Sequence, residues 1–125
     1  MIFARPEQTV DNWKEELQQV FQKFPWIPHV SLYELTVEKG TQLWKDVKNG
    51  LIKVPNEDEK AELYSLTIEE LAKHGCHRYE ISNFAQSDKH QGTHNSNYWL
   101  GGNYLGNSTF SILSSFQFCS FFNFV

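Results

Sequence analysis

The sequence has only two cysteines, Cys76 and Cys119, in 125 residues. That is too few for a disulfide framework or for a Cys-rich zinc or iron–sulfur cage. It also lacks a positive excess: eleven Lys and Arg stand against fifteen Asp and Glu, a formal net charge of −4. A phosphate backbone selects the opposite sign, so no nucleic-acid partner is expected. Residues 1–9 contain no basic region followed by an apolar core, and no Arg- and Ser-rich stretch, so no targeting segment is read there. What the chain does have is 40% hydrophobic and 15% aromatic residues, enough for one folded unit or a part of one.

Thr9 precedes a run in which Val10, Trp13, Leu17, Val20, Phe21 and Phe24 share one helical face, stopped by Pro25 and Pro28. Thr9 is the expected N-cap, with Asp11 placed favourably in the first turn. His29 to Val37 is rich in β-branched and aromatic residues and reads as a strand. A short helix is expected from Thr41, turning Leu43, Trp44 and Val47 inward and ending at Asn49-Gly50. Asn56 with Glu59 forms a capping signature for a second long helix, with Ala61, Leu63, Tyr64, Ile68, Leu71 and Ala72 on one face as far as Gly75. Strand formers resume over Cys76 to Ser82, and Gln86 to Thr93 reads as a polar loop. Helix and strand thus alternate, the pattern of a parallel α/β architecture, with too few strands to close its edges.

From Asn107 the composition changes: residues 107–125 carry six of the ten Phe and no charge. The Ser, Asn and Gln content falls short of the ~20 predominantly apolar residues of a membrane span. The tail is therefore read as an aggregation-prone segment and not as a span.

Several residues carry chemistry. His74, Cys76 and His77 are close in sequence, but His74 complements a helix C-terminus and residues 76 and 77 of a strand face opposite ways. His90 and His94 are four apart with Gly92 between them, which argues against the helix needed to align them on a metal. Glu34 and Glu80 lie in strand-like segments, so Glu34, Thr36, Glu80, Ser82 and Asn83 are candidates to converge on one pocket at strand ends, with Arg78 pairing either carboxylate. An outward edge-strand face fits the same pattern equally well. The segment His94 to Gly106 gathers a histidine, amides and aromatics around glycines. It reads either as a surface for a flat aromatic ligand or as an aromatic loop sealing the end of a core.

Four motifs in order carry a resemblance: Ile2-Phe3-Ala4-Arg5-Pro6-Glu7-Gln8-Thr9, His29-Val30-Ser31-Leu32-Tyr33-Glu34-Leu35-Thr36, Tyr79-Glu80-Ile81-Ser82-Asn83-Phe84-Ala85, and His94-Asn95-x-x-Tyr98-Trp99 with Tyr104-Leu105-Gly106. Together they resemble the HemW-like haem chaperones, a branch of the radical S-adenosylmethionine superfamily close to oxygen-independent coproporphyrinogen III oxidase. The resemblance implies the late part of a partial (βα)6 barrel. Its last strands and helix would occupy 1–38 and a post-barrel region 39–106, with a non-family tail over 107–125.

It also implies haem as a cofactor, contacted by His94, Asn95, Tyr98 and Trp99 with His94 as the iron ligand, and haem-accepting proteins as partners. S-adenosylmethionine and a four-iron four-sulfur cluster belong to the full-length parent, with Ile2 and Thr36 flanking the adenine. The family's C-x-x-x-C-x-x-C loop has no counterpart here, so this chain is not expected to hold the cluster. The implied compartment is the mitochondrion. Two competing readings are a coproporphyrinogen-oxidase-like enzyme and a non-catalytic interaction fragment that exposes apolar faces around Trp13, Phe21 and Tyr64. Two departures from the family pattern stand out: Ala4-Arg5 in place of Gly-Leu, and Asn107-Ser108-Thr109-Phe110 in place of a Gly-rich run. Met1 also falls inside an expected strand, which points to a start further upstream.

Overall fold

A computed structural model describes residues 1–102, so Tyr104-Leu105-Gly106 and the Phe-rich tail lie outside the described residues. The described residues fall into two units, residues 1–91 and a second that begins at Gly92. The first unit runs through residue 38 without a break, because helices from either side of that position pack together.

Strand β1 (Ile2–Phe3) leads through a tight loop into helix α1 (Val10–Lys23). The helix starts where expected: the Asn12 N–H donates to Thr9 Oγ1 at 3.3 Å, and the Thr9 N–H donates to Asn12 Oδ1 at 3.0 Å. This reciprocal cap satisfies two N–H groups at the helix start. Where a single strand is expected over 29–37, the chain makes two, β2 (His29–Ser31) and β3 (Tyr33–Glu34). Leu32 between them is buried, and its N–H donates to Ser82 O at 2.7 Å. The backbone there changes partner, so β3 pairs parallel with β1 while β2 joins a different sheet.

Helix α2 (Gln42–Lys48) is capped by Thr41 and stops at Asn49-Gly50, with Gly50 in the left-handed region at φ 72°. It buries no residue fully; Leu43, Trp44 and Val47 are half-covered. Helix α3 (Glu57–Lys73) carries the expected capping box, with the Glu59 N–H on Asn56 Oδ1 at 2.9 Å and the Asn56 N–H on Glu59 Oε2 at 2.7 Å. That backbone bond holds the Glu59 carboxyl below its usual range. The buried face of α3 differs from the expected one. Leu63, Thr67, Glu70 and Leu71 are covered, while Ala61 and Ala72 are exposed.

The expected strand over 76–82 shrinks to β4 (His77–Arg78), followed by a turn and by β5 (Asn83–Ala85). The N–H groups of Tyr79 and Glu80 both point at Asn83 O, at 3.2 and 3.5 Å, which reverses the chain before a longer ladder forms. The second sheet therefore has the order β2-β5-β4 and is antiparallel throughout. The all-parallel arrangement expected from the alternation is corrected accordingly: the fold is mixed α/β, with one parallel pair and one antiparallel sheet.

The core lies between α1 and α3 and against both sheets. Trp13, Leu17 and Phe21 of α1 are buried together with Leu63, Leu71, Phe3, Leu32 and Phe84. The Trp13 indole Nε1–H donates to Thr67 Oγ1 at 2.8 Å, and the Thr67 hydroxyl donates to Leu63 O at 2.8 Å. Phe3 sits 6.5 Å from the Trp13 ring and stacks on Tyr64 at 5.9 Å. The expectation that Trp13 and Phe21 form an exposed apolar face is overturned, because α3 supplies the surface that covers them; Tyr64 is half-buried.

Ala4 is buried and has φ 59°, a left-handed conformation that costs an L-residue roughly 1–2 kcal/mol. Glycine would remove that strain but would lose a buried methyl, worth about 0.8 kcal/mol, and about 0.5–1 kcal/mol of chain entropy. The two sides nearly cancel, which explains how alanine occupies a position where the family motif has glycine. Arg5, in place of the motif's leucine, forms an ion pair with Glu16 of α1.

Three outcomes are expected. Thr67→Val strands the buried indole N–H and lowers stability by about 1–3 kcal/mol in urea denaturation followed by tryptophan fluorescence. Ala4→Gly leaves the urea midpoint nearly unchanged, whereas Ala4→Val, whose branched side chain tolerates positive φ poorly, lowers it clearly. The buried Glu70 carboxylate accepts from Lys73 Nζ at 2.6 Å, and this bond holds its pKa below the ordinary carboxyl value. A depressed carboxyl stabilises the fold above its unfolded pKa of about 4.3 and loses that contribution as pH falls through the native value. Glu70→Gln thus destabilises at neutral pH, and its deficit shrinks in acid, as thermal unfolding across pH would record.

Candidate functional site

The residues expected to converge at strand ends separate into two groups. Glu34, on β3, turns to α3 and pairs with Lys60 Nζ at 3.0 Å. Lys60 also holds Glu57 at 2.8 Å, and the bonds to Glu57 and Glu34, in that order, raise its pKa. Thr36 lies exposed beyond the end of β3. Arg78 donates to Tyr64 Oη at 3.2 Å and is not the partner of Glu34.

Glu80, Ser82 and Asn83 do come together. Glu80 Oε1 accepts from the Ser82 N–H at 3.0 Å and from Asn83 Nδ2. Asn83 is buried, and its Oδ1 accepts from Ser31 Oγ at 2.5 Å. Glu80 stands in the turn after β4, not in a strand, and this corrects its expected setting. The network joins the β4–β5 hairpin to β2 and uses its own donors and acceptors, so its clear chemical effect is to fix the hairpin.

Ile2 and Thr36 are not in register. Ile2 pairs with Tyr33 across the parallel β1–β3 pair, which leaves Thr36 about 10 Å further along at ~3.3 Å per residue. Both side chains are exposed.

A cavity of about 250 Å³ opens beside the β1–α1 loop, lined by Glu7, Gln8, Thr9, Lys53, Pro55 and Glu62 among others. The Nε2 of Gln8 is buried there without a hydrogen-bond partner among the described residues. Glu7, like Ala4, has positive φ. Gln8 stands within the first motif, but an unpaired buried amide becomes visible only once the loop is folded around it.

In the second unit, the segment expected to be an aromatic loop is a helix, α4 (Thr93–Trp99). Gly101, at φ 71°, donates to Tyr98 O at 3.1 Å, and Gly102 donates to Asn97 O at 2.7 Å. These two bonds are the Schellman ending of a helix, so the glycines that suggested a loop are its stop signal. At about 100° per residue, His94, Tyr98, Asn95 and Trp99 fall in that order within a wedge of about 140° on α4. Tyr98 meets the His94 ring edge-on at 4.9 Å, and Asn95 Oδ1 lies 3.4 Å from His94 Nδ1. Tyr98 and Trp99 are 47% and 66% exposed. An imidazole and two aromatic surfaces on one accessible face form a donor set suited to a flat macrocycle with a central metal.

The histidines weighed as a pair lie on separate elements: His90 ends a 3₁₀ turn, where Ser87 Oγ meets its Nδ1 at 3.1 Å, and His94 stands in α4. Cys76 is buried with its Sγ 3.8 Å from Ile27 O, and burial pushes the thiol pKa up, away from the thiolate that ligates iron. Among the described residues no group of three or more His, Cys, Asp or Glu is arranged to hold a metal ion. These residues do not fit an iron–sulfur cluster.

Comparison with known proteins gives a consistent picture. The chain is 39% identical over 106 residues to radical S-adenosyl methionine domain-containing protein 1, mitochondrial, of Danio rerio, a match covering 85% of this chain and 23% of the relative. It is 37% identical over 111 residues to the protein of the same name from Dictyostelium discoideum, 85% of this chain and 25% of the relative. To heme chaperone HemW of Lactococcus lactis it is 34% identical over 106 residues, 85% of this chain and 27% of that protein. No family model matches the chain, and no solved structure matches it. The chain spans about a quarter of the length of the curated relatives it matches. Over the part it shares with them, the chain is homologous to radical S-adenosyl methionine domain-containing protein 1 and to HemW.

Proposed function

We propose that this chain carries the haem-contacting element of a haem chaperone that takes up haem and passes it to recipient proteins, working in the mitochondrion. The observation that carries the reading is the α4 face, where His94, Asn95, Tyr98 and Trp99 share one accessible wedge. His94 is the iron ligand in this reading, and Tyr98 and Trp99 lie against the porphyrin. When bound, haem would supply an iron that accepts an imidazole nitrogen. The protein's part is to present that nitrogen and to offer ring faces that displace water from the macrocycle. The relative from Lactococcus lactis is itself named a heme chaperone, which supports the assignment.

In the whole protein we further assign S-adenosylmethionine contacts to Ile2 on β1 and to Thr36 beyond the end of β3, in a barrel that the remaining chain would complete. Glu34, on β3, remains a candidate to line the same end, separate from the group formed by Glu80, Ser82 and Asn83. The coproporphyrinogen-oxidase reading is set aside because the His94-Asn95-x-x-Tyr98-Trp99 element follows the chaperone branch.

Titration of the 125-residue chain with ferric haem, followed by the Soret band, is expected to show saturable one-to-one binding. His94→Ala is expected to weaken it about 10-fold or more and to change the axial-ligand signature. Identical spectra and affinities for the two proteins would remove His94 from the site and with it this reading.

A further inference from the structure

Glu62, exposed on α3, makes no hydrogen bond or ion pair among the described residues. Its helical neighbours at i−4 and i−3 are Asp58 and Glu59, and those at i+3 and i+4 are Ser65 and Leu66. Like charges at these spacings repel and weaken a helix, and no cation on α3 stands where it would offset them. Elsewhere the same helix does pair its acids, Glu57 with Lys60 and Glu70 with Lys73.

Glu62 borders the cavity of about 250 Å³ beside the β1–α1 loop. The covered part of that lining is apolar, with Pro55 and Leu63 buried and Val10 half-buried. The charged part sets Glu7, Glu59 and Glu62 against Lys53, three carboxylates to one ammonium. Backbone donors hold two of the three in place: Glu7 Oε1 accepts the Lys53 N–H at 3.1 Å, and Glu59 Oε2 accepts the Asn56 N–H at 2.7 Å. Lys53 Nζ lies 3.5 Å from Glu59 Oε1 on a side chain that is 74% exposed, a loose pair that an incoming cation displaces easily. Among the described residues these carboxylates form no group arranged to hold a metal ion. The chemistry that matches is an organic cation, its stem against Val10, Pro55 and Leu63 and its charge among the carboxylates. An apolar cavity of about 150 Å³ admits benzene, so this one has room for a chain of about five carbons and its ammonium.

We propose that the cavity binds a primary alkylammonium group, from a free amine or from a lysine side chain of another protein, with Glu62 as its main charge partner. The site calls on no residue of α4 and no haem, so it stands or falls apart from the reading above.

The test is amide NMR of the full chain during titration with pentylammonium chloride at constant ionic strength. Saturable shifts are expected at residues 7–10, 53–54 and 59–63, with pentan-1-ol, the same stem without the charge, binding clearly more weakly. Glu62→Gln is expected to weaken pentylammonium about 2–5-fold, the range of an exposed ion pair. The same variant is expected to raise the urea midpoint slightly, because it removes the repulsion from Asp58 and Glu59. A residue kept for structure would lower it. Lys53→Gln, which removes the competing cation, is expected to tighten binding. N-acetyl-lysine methylamide separates the two sources: tighter binding than pentylammonium assigns the site to a protein's lysine, and equal or weaker binding assigns it to a free amine. Shifts absent from these segments, or reproduced by sodium chloride alone, would overturn the proposal. So would equal binding of pentan-1-ol, a Glu62→Gln protein with unchanged affinity or a lowered midpoint, or a Lys53→Gln protein that binds no more tightly.

Discussion

Trp13 joins the two long helices of the first unit, and the rest of that unit is arranged around the contact. The indole is fully buried, so its N–H must find an acceptor, and Thr67 Oγ1 provides one while passing its own proton to Leu63 O. A buried polar chain of this kind fixes the rotation of each helix, because a turn of either one would leave a donor without a partner. With α1 and α3 set, Phe3 has a defined slot between Trp13 and Tyr64, and β1 is placed beside β3. Tyr64 then reaches the β4–β5 turn through its hydroxyl, which donates to Ile81 O at 2.8 Å. The second sheet is thereby tied to the same helix pair.

Elements whose signals are local were legible in the sequence. Thr9 and Asn56 announced α1 and α3, since a cap needs only a few neighbouring residues, and Asn49-Gly50 announced the end of α2 for the same reason. What remained hidden depends on partners far along the chain. A continuous run of strand formers over 29–37 cannot reveal that Leu32 bonds to Ser82 and hands the backbone from one sheet to another. Nor can helical periodicity show that Thr67 and Glu70 are buried, because each is covered only after its hydrogen bond has been satisfied, Thr67 across the helix interface and Glu70 by Lys73.

The candidate site shows the same division. His94, Asn95, Tyr98 and Trp99 stand out by composition and resemblance, while the glycines among them leave the segment open between a ligand surface and an aromatic loop. The glycine signal was sound and its meaning different: Gly101 and Gly102 end a helix. That change matters chemically. A loop would leave four side chains without a common direction, whereas 3.6 residues per turn brings positions 94 and 98 onto one face and positions 95 and 99 onto the next. The strand-end group was only partly legible. Glu80, Ser82 and Asn83 meet because a tight turn folds them together, and Glu34 leaves them because Lys60 on α3 offers a closer cation.

The two units divide the chemistry in a way that follows from their residues. The first closes its buried polar side chains in internal bonds, as in the Asn83 network with Glu80 and Ser31, and its capping boxes close on themselves. Its exception is Gln8, whose buried Nε2 has no hydrogen-bond partner among the described residues, in a loop that borders a cavity and holds two residues at positive φ. Strain and an unsatisfied amide in one loop mark a place where fold stability was not the sole constraint on the sequence. The α4 segment does the reverse. It buries none of its residues, and Tyr98 and Trp99 stay partly accessible. For the function proposed above, such a face is apt, because a ligand held on an accessible surface can be reached by a protein that receives it.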